Sequence, residues 1–287
     1  MKIELQNLSN QSEITNSEFR IQNSEFFPKI MGILNVTPDS FSDGGKFFNN
    51  EIAVQHALQM IEDGADIIDI GGESTRPGAA EVSLEDELNR TIPIIRELKR
   101  LKPETVISID TTKYEVAKQA VEAGASIIND ISGLKTDIRL AELAAKYNVS
   151  ICIMHIQGTP RTMQSNPFYK NVVDDIYNFL NEKKEFALSL GVKDIICDVG
   201  IGFGKTVEYN LELLRNLDRF KSLGTKLLLG ISRKSFIGKL LNIEKPEDRD
   251  IATAMIHSIL LKHDIDIIRV HNVKLISQLR YLAGIFK

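Results

Sequence analysis

Val106-Ile107-Ser108-Ile109-Asp110 is a short, mostly apolar run that ends at a carboxylate, and it sets the pattern for most of the chain. Seven further runs also end at, or lead into, polar side chains, and they cover residues 30–34, 66–71, 126–128, 151–154, 194–197, 227–231 and 265–268. Parallel strands that are buried on both faces read as unbroken apolar runs, and in a closed barrel their carboxyl ends meet at one mouth. The sequence therefore predicts an α/β protein, a single-domain (β/α)8 TIM barrel, with its active site at that mouth.

The segments between these runs have the periodicity of helices. Eight helices are predicted, over residues 53–63, 84–102, 114–122, 138–147, 172–190, 207–223, 249–263 and 274–285. Gly64, Gly124, Gly191 and Gly224 each stand between a helical segment and the next strand, where a left-handed glycine cap is common. Eight helices for eight strands fit a single barrel over residues 29–287. The polar residues 1–28 are predicted to be an extension, either a strand or hairpin that closes the bottom of the barrel or a mobile tail.

Composition limits the partners of this chain. The net charge of -4 gives no basic field for nucleic acid, and no apolar run is long enough to span a membrane. Cys152 and Cys197 lie inside strand runs, so we expect two buried, reduced thiols, and we find no signal peptide at the N-terminus. A cytoplasmic protein that acts on small molecules is expected.

Three strand ends carry acid or amide side chains, namely Asp110, Asn129 and Asp198. A buried carboxylate needs a cation or a hydrogen-bond donor, because its desolvation is otherwise costly. A ring with an amino group beside a ring N–H, as in guanine or a pterin, offers two parallel donors to one carboxylate. Lys234 can supply a donor to the same ring, or it can simply neutralise Asp198.

Anion-binding groups follow other strands. Arg269 and His271 lie two residues apart at the end of the last strand, where many barrels bind phosphate, and they suggest a phosphate or diphosphate ligand. Residues 73–78, Glu-Ser-Thr-Arg-Pro-Gly, resemble an anion grip, although a salt-bridged surface arginine has the same pattern. Residues 35–45 form a turn-rich loop that is either functional or satisfies only its own backbone. Both long loops are expected to act as lids.

Several apparent motifs are rejected. Residues 200–206, Gly-Ile-Gly-Phe-Gly-Lys-Thr, look like a phosphate loop, but the required glycine at 199 is a valine, and Lys205 replaces the third glycine of the dinucleotide pattern. His56, His257 and His263 lie in helical segments without zinc-ligand spacing. Cys152 falls in mid-strand, which argues against a nucleophile.

The ordered set of motifs resembles one family. The motifs are residues 35–45, 72–79, 107–111, 129–133, 154–160, 198–205, 232–235 and 269–271. Together they resemble the dihydropteroate synthases, the pterin-binding TIM-barrel enzymes of folate biosynthesis that sulfonamides inhibit. The resemblance implies a transferase that condenses 7,8-dihydropterin-6-ylmethyl diphosphate with p-aminobenzoate, releases diphosphate and uses Mg²⁺. It also implies a homodimer.

The resemblance further implies site residues, which carry over motif by motif. Asp110, Lys234 and Arg269 would be catalytic. The pterin would contact Asp110, Asn129, Asp198, Lys234 and Arg269. The diphosphate would contact Asn35, Thr75, Arg269 and His271, and Asn35 would also bind the metal. The p-aminobenzoate would contact Phe41, Arg76, Pro77, Phe203, Lys234 and Ser235.

Two residues depart from the family pattern: Ile156 stands where methionine is usual, and Asn272 where aspartate is usual. The second change removes a negative charge near His271 and could alter the orientation or charge of that ring. The rival interpretations are a pterin-binding methyltransferase, a non-catalytic pterin-binding homologue and a Schiff-base aldolase that uses Lys234. The first two loops and the presence of Asn35, Arg76 and Lys234 favour the synthase.

Overall fold

Eight parallel strands close into one barrel in sequence order. The computed structural model describes residues 27–37, 46–74 and 81–286. The strands, β1 to β8, are Lys29–Asn35, Ile67–Gly71, Val106–Asp110, Ile127–Asp130, Ser150–Met154, Ile195–Asp198, Lys226–Leu229 and Ile267–Val270. The predicted barrel is confirmed, and each predicted run overlaps a strand.

One side chain from each of seven strands meets on the barrel axis and forms an apolar plug. The plug consists of Met31, Ile67, Ile127, Cys152, Ile196, Leu228 and Ile267. Because residues two apart on a strand share a face, the positions two residues further along also point inward, above the plug. Those positions include Asp69, Asn129, Asp198 and Arg269. Strand alternation therefore stacks a polar layer on an apolar one.

Helices alternate with the strands. In the described part of the chain the α-helices, α1 to α10, are Lys46–Glu62, Leu84–Leu101, Tyr114–Glu122, Arg139–Tyr147, Val172–Ser189, Val207–Arg215, Leu217–Lys221, Ser235–Leu241, Asp250–Leu260 and Val273–Ile285. The predicted helix over residues 207–223 is two helices, because Asn216 leaves helical geometry at φ -119° and ψ 28°. The short helix α8 was not predicted.

The glycines that precede strands adopt the left-handed conformation. Their φ angles are 105° at Gly64, 113° at Gly124, 90° at Gly191 and 71° at Gly224. These values confirm the predicted helix ends, since side chains other than glycine rarely adopt them.

The two cysteines are free and buried, as expected. Among the described residues, the search for a helix of membrane-spanning length and hydropathy finds none. β1 begins at Lys29, the predicted start of the barrel, while residues 1–26 lie outside the described residues and the role of the extension stays a prediction.

Candidate active site

Strand ends deliver a buried ionic cluster to the mouth of the barrel. The Arg269 Nε atom donates to Asp69 Oδ2 at 2.6 Å, and its Nη2 atom donates to Asp110 Oδ2 at 2.7 Å. Asn129 Nδ2 donates to the same Asp69 oxygen at 3.1 Å. Three predicted site residues from β3, β4 and β8 are thus brought together, and the cation that a buried acid requires is Arg269.

Asp69 was missed by the sequence analysis, because it lies inside the second apolar run and not at its end. Its side chain is fully buried, and its Oδ1 atom has no hydrogen-bond partner among the described residues. The available signal was strand alternation, which places Asp69 on the same face as Gly71 at the mouth. Asp69 orients Arg269 and Asn129 from below.

A second pair of opposite charges, the buried Asp198 and the half-buried Lys234, lies across the mouth. Asp198 ends β6 and accepts the Gly200 N–H at 2.7 Å, while the charges of Lys234, Lys205 and Arg269 act on it. Lys234 lies in the turn before α8, and its Nζ atom sits 3.8 Å from the centroid of the Phe203 ring. Phe203 and Lys234, which were both predicted to contact p-aminobenzoate, are therefore neighbours. The predicted contact Ser235 is the first residue of α8.

Burial shifts the pKa values of two ionisable groups of the mouth towards 7. Burial raises the pKa of Asp110 to about 7, although the charge of Arg269 opposes the shift. Burial lowers the pKa of Lys234 to about 7, and the Asp198 carboxylate opposes that shift. At neutral pH each group is therefore divided between its charged and neutral forms, so a ligand with matching donors or acceptors determines its protonation state.

Glycine opens space beside the end of β1. The strand register places Asn35 opposite Gly71 and Gly71 opposite Asp110. A Cβ atom at Gly71 would lie 3.4 Å from the Cβ atom of Asp110. The missing side chain leaves room between the Asn35 amide and the Asp110 carboxylate.

His271 is held as a neutral ring. Its Nδ1 atom lies 3.0 Å from Ser232 Oγ, and its backbone N–H donates to the same oxygen at 3.1 Å. Burial lowers the pKa of His271 to about 3, and the charge of Arg233 adds to this effect. A neutral His271 can donate one hydrogen bond to an anion without adding charge.

The Asn272 side chain, next to His271 in the sequence, makes two structural contacts. Its Nδ2 atom donates to Asp250 at 3.1 Å, and its Oδ1 atom accepts the Leu275 N–H at the start of α10. Asp250 also accepts two hydrogen bonds of 2.7 Å from Arg233. The departure from the family pattern therefore serves a structural contact. Ile156, the other departure, packs in an apolar cluster that includes Met154 and Phe203.

Some predicted site residues lie outside the described residues, namely Phe41, Thr75, Arg76 and Pro77. The stem of the second loop is described up to Ser74. There Lys113 forms ion pairs with Glu73 and with the buried Glu87, and Arg90 donates to the Gly72 carbonyl at 2.8 Å. The roles of the four undescribed residues stay predictions.

No group of three or more His, Cys, Asp or Glu side chains that could hold a metal occurs in the described ranges. Asn35, the predicted protein ligand of Mg²⁺, lies half-buried at the mouth. Magnesium commonly keeps several waters and takes substrate phosphate oxygens as ligands. One amide oxygen fits that manner of binding.

Acid, amide and cationic side chains surround one mouth, which defines the chain as a barrel enzyme. The acids and the amide suit a planar ring that carries several hydrogen-bond donors, and the cations suit an anion beside it. Comparison with known proteins gives a narrower result. The model of the family described as pterin binding enzyme matches residues 31–271. The chain belongs to this family and, within it, to the dihydropteroate synthases, the transferases of folate biosynthesis that form dihydropteroate.

Three relatives illustrate the similarity. The chain is 51% identical to the dihydropteroate synthase of Clostridium beijerinckii, over 91% of this chain and 94% of the relative. The Xanthomonas albilineans synthase with 4-aminobenzoic acid superposes with a TM-score of 0.84 at 39% identity, over 91% and 93% of the two chains. The Yersinia pestis synthase with a sulfonamide drug gives a TM-score of 0.83 at 42% identity, over 91% and 94%.

Proposed function

We propose that this chain binds a dihydropterin diphosphate above the apolar plug and joins it to p-aminobenzoate. The observation that carries the assignment of sites is the pair of buried carboxylates, Asp110 and Asp198, with Asn129 between their strands. The amino group and ring N–H groups of a pterin supply the donors that these acids require. Arg269, fixed by Asp69 and Asp110, presents its guanidinium to the face of the ring.

The reaction exchanges a C–O bond for a C–N bond. Diphosphate leaves from the exocyclic methylene carbon, and the electron-rich pterin delocalises the positive charge that develops there. The neutral aniline nitrogen of p-aminobenzoate attacks this carbon and then loses a proton. Carboxylates in a buried site stabilise the developing cation without reorganisation, while Arg269 and His271 bind the departing anion. Lys234 and Phe203 would hold the second substrate.

We also propose that Mg²⁺ assists the reaction. When bound, it would neutralise charge on the departing diphosphate. The Asn35 amide oxygen would hold it together with diphosphate oxygens and water, which suits a mouth that lacks an acidic cage among the described residues.

The direct test follows both products. Purified protein is mixed with the dihydropterin diphosphate, p-aminobenzoate and Mg²⁺, and dihydropteroate and diphosphate are measured together. Equal formation of both products, lost on chelation of Mg²⁺, is the expected result. Tight pterin binding without either product would instead favour a non-catalytic or methyltransferase role. Equal formation that persists under chelation would refute the metal assignment alone.

We further propose that the chain forms a homodimer through α9. Ile251, Met255 and Ile259 follow one another at intervals of four residues, and 67%, 63% and 67% of their surfaces are exposed. An exposed apolar stripe of this kind marks an interaction surface, and homodimers with two-fold symmetry are the commonest oligomers. Leu282 of the neighbouring helix α10 and Phe286, which follows the end of that helix, are also exposed.

A charged residue in the centre of the stripe tests the dimer. Met255→Glu should convert a dimer into a monomer in sedimentation equilibrium, whereas Met163→Leu, at a buried position away from the stripe, should not. A monomeric parent protein would refute the proposal.

We propose a cytoplasmic location as well. The two free thiols support it, since buried reduced cysteines are usual in reducing compartments. Fractionation of cells that express the protein tests this assignment.

A further inference from the structure

The glycine-rich loop over residues 200–204 is a rigid turn, although it does not match a phosphate loop. Gly200, Gly202 and Gly204 have φ angles of 69°, 82° and 65°. A Cβ atom at Gly200 would lie 1.9 Å from the His155 carbonyl oxygen, and one at Gly204 would lie 2.7 Å from that of Gln157. The loop therefore packs backbone against backbone on the end of β5.

Lys205 holds this loop together from inside. Its Nζ atom donates to the carbonyl oxygens of Gly200 at 2.8 Å, Phe203 at 3.0 Å and His155 at 3.3 Å. The same atom lies 3.2 Å from His155 Nδ1. Burial lowers the pKa of Lys205 well below its usual value, although the charge of Asp198 opposes the shift. The three carbonyl acceptors match the three N–H donors of the ammonium form, whereas a neutral amine has two.

The buried position of Lys205 excludes the role that a phosphate-loop lysine plays. Only 3% of its surface is exposed, and its three N–H donors face the three main-chain carbonyls. Lys205 thus has no donor left for substrate. Its effect must pass through the loop that it binds.

That loop supplies two parts of the mouth. The Gly200 N–H donates to Asp198, and the Phe203 ring lies beneath Lys234 Nζ. Gly202 lies close to Lys234 as well, since a Cβ atom there would be 3.0 Å from its Cδ atom. The position of the Phe203 carbonyl, which Lys205 fixes, therefore sets where the ring meets Lys234.

We propose that Lys205 is a positioning residue for the second substrate, an aromatic amine with a carboxylate that binds against Phe203 and Lys234. The inference rests on the proposed assignment of these two residues to p-aminobenzoate. Removal of the Nζ atom leaves the carbonyls of Phe203 and His155 without a donor among the described residues, while the Gly200 carbonyl keeps the Phe203 N–H. The loop then relaxes, and Phe203 loses its fixed place opposite Lys234.

The test is a comparison of Lys205→Met with Lys184→Met. Lys184 is also poorly exposed and donates to a carbonyl, that of Leu223, far from the mouth. For Lys205→Met we expect the KM for p-aminobenzoate to rise about tenfold, which is a loss of about 1.4 kcal/mol. The Kd of the dihydropterin diphosphate should change by less than about threefold, and Lys184→Met should leave both constants unchanged.

A uniform loss of both affinities, in parallel with a loss of folded protein, would overturn the proposal, as would an unchanged KM. If Lys205→Met does not fold, Lys205→Gln, which retains two N–H donors, is measured in its place under the same criteria. Phe203→Ala distinguishes a wrong p-aminobenzoate site from a wrong role for Lys205. An unchanged KM in that variant would refute the assigned p-aminobenzoate site itself, whereas a raised KM there with an unchanged KM in Lys205→Met would refute only the role of Lys205.

Discussion

The two ends of the barrel treat charge in opposite ways. At the amino end, Lys226 pairs with Asp194 at 2.8 Å, and both side chains are exposed by 40% or more. These groups line a cavity of about 540 Å³ that also includes Lys29 and Asp266. At the carboxyl end, Arg269 pairs with Asp69 and Asp110, and both acids are buried. The cavity thus lies at the opposite end from the buried charges of the candidate site.

The two ends differ in whether water can hydrate the charged groups. An exposed ion pair is hydrated in any arrangement, so it contributes little to stability. A buried charge is costly until an opposite charge or a hydrogen-bond donor or acceptor pairs with it. Where the protein does not supply that partner, a ligand must. In the mouth, the groups that a ligand can pair with are Asp110, Asp198 and Lys234.

The largest expected effect is the difference in stability between two variants, each of which lacks one cation at one end of the barrel. Arg269→Met leaves Asp69 and Asp110 buried without their cation and should lower the free energy of unfolding by about 3–5 kcal/mol, with loss of activity. Lys226→Met should change it by about 0–1 kcal/mol, with activity retained. Urea denaturation of both variants beside the parent protein measures the contrast. Equal losses at the two ends would contradict the comparison.

A second prediction concerns pH, where the two ends should differ in sign. The folded-state pKa of Asp110 is about 7, above the ordinary value of 3.8, so its contribution to stability is present below about pH 4 and is lost as the pH rises towards 7. Burial raises the pKa of Asp194, but hydrogen bonds from Lys226 and Ser150 outweigh this and lower it overall. Its contribution is therefore present above pH 3.8 and is lost as the pH falls.

Denaturation between about pH 2 and pH 8 checks both signs, since the loss from Asp194 falls below pH 3.8 and the loss from Asp110 falls between about pH 4 and pH 7. Asp110→Asn should remove a downward slope of stability with pH, whereas Asp194→Asn should leave that slope in place. Since pterin donors require an ionised Asp110, kcat/KM for the dihydropterin diphosphate should fall about tenfold per pH unit below pH 7. A flat profile down to pH 5 would argue against Asp110 as an acceptor.

The smallest effect is expected at the edge of the mouth. Asn272→Asp keeps a cap for α10 but replaces the donor to Asp250 with a second carboxylate. The free energy of unfolding should fall by about 1 kcal/mol, since one hydrogen bond is lost, while kcat changes little. Thermal unfolding and steady-state kinetics on the same preparation check both statements. A large fall in kcat would show that residue 272 does reach the diphosphate.

Much of this architecture could be read from local pattern. The run over residues 106–110 ends at Asp110 both in the sequence and in the structure, because a buried strand and its inward face follow a period of two. The capping glycines were predictable because left-handed geometry favours one residue type. The family motifs brought Asp110, Asn129, Asp198 and Arg269 to one mouth, where the described geometry places them.

The features that the sequence analysis missed depend on contacts between residues that are distant along the chain. Arg269 meets Asp69 across 200 residues, and nothing in the run over residues 66–71 indicates that partner. Lys205 was set aside with its glycine-rich motif, since its acceptors are main-chain oxygens that no residue type reveals. The stripe on α9 was missed because apolar residues occupy several faces of that helix, and periodicity does not tell which face is covered.

The Arg269 bridge has a consequence for inhibitors. The Arg269 side chain occupies one oxygen of Asp110, and because it belongs to the same molecule it is present at high effective concentration. A compound that needs that oxygen must first displace an intramolecular competitor, and part of its affinity is spent there. A compound that lies flat on the guanidinium and takes its hydrogen bonds from Asn129 and Asp198 leaves the bridge intact, so a given gain in contacts should translate more fully into potency.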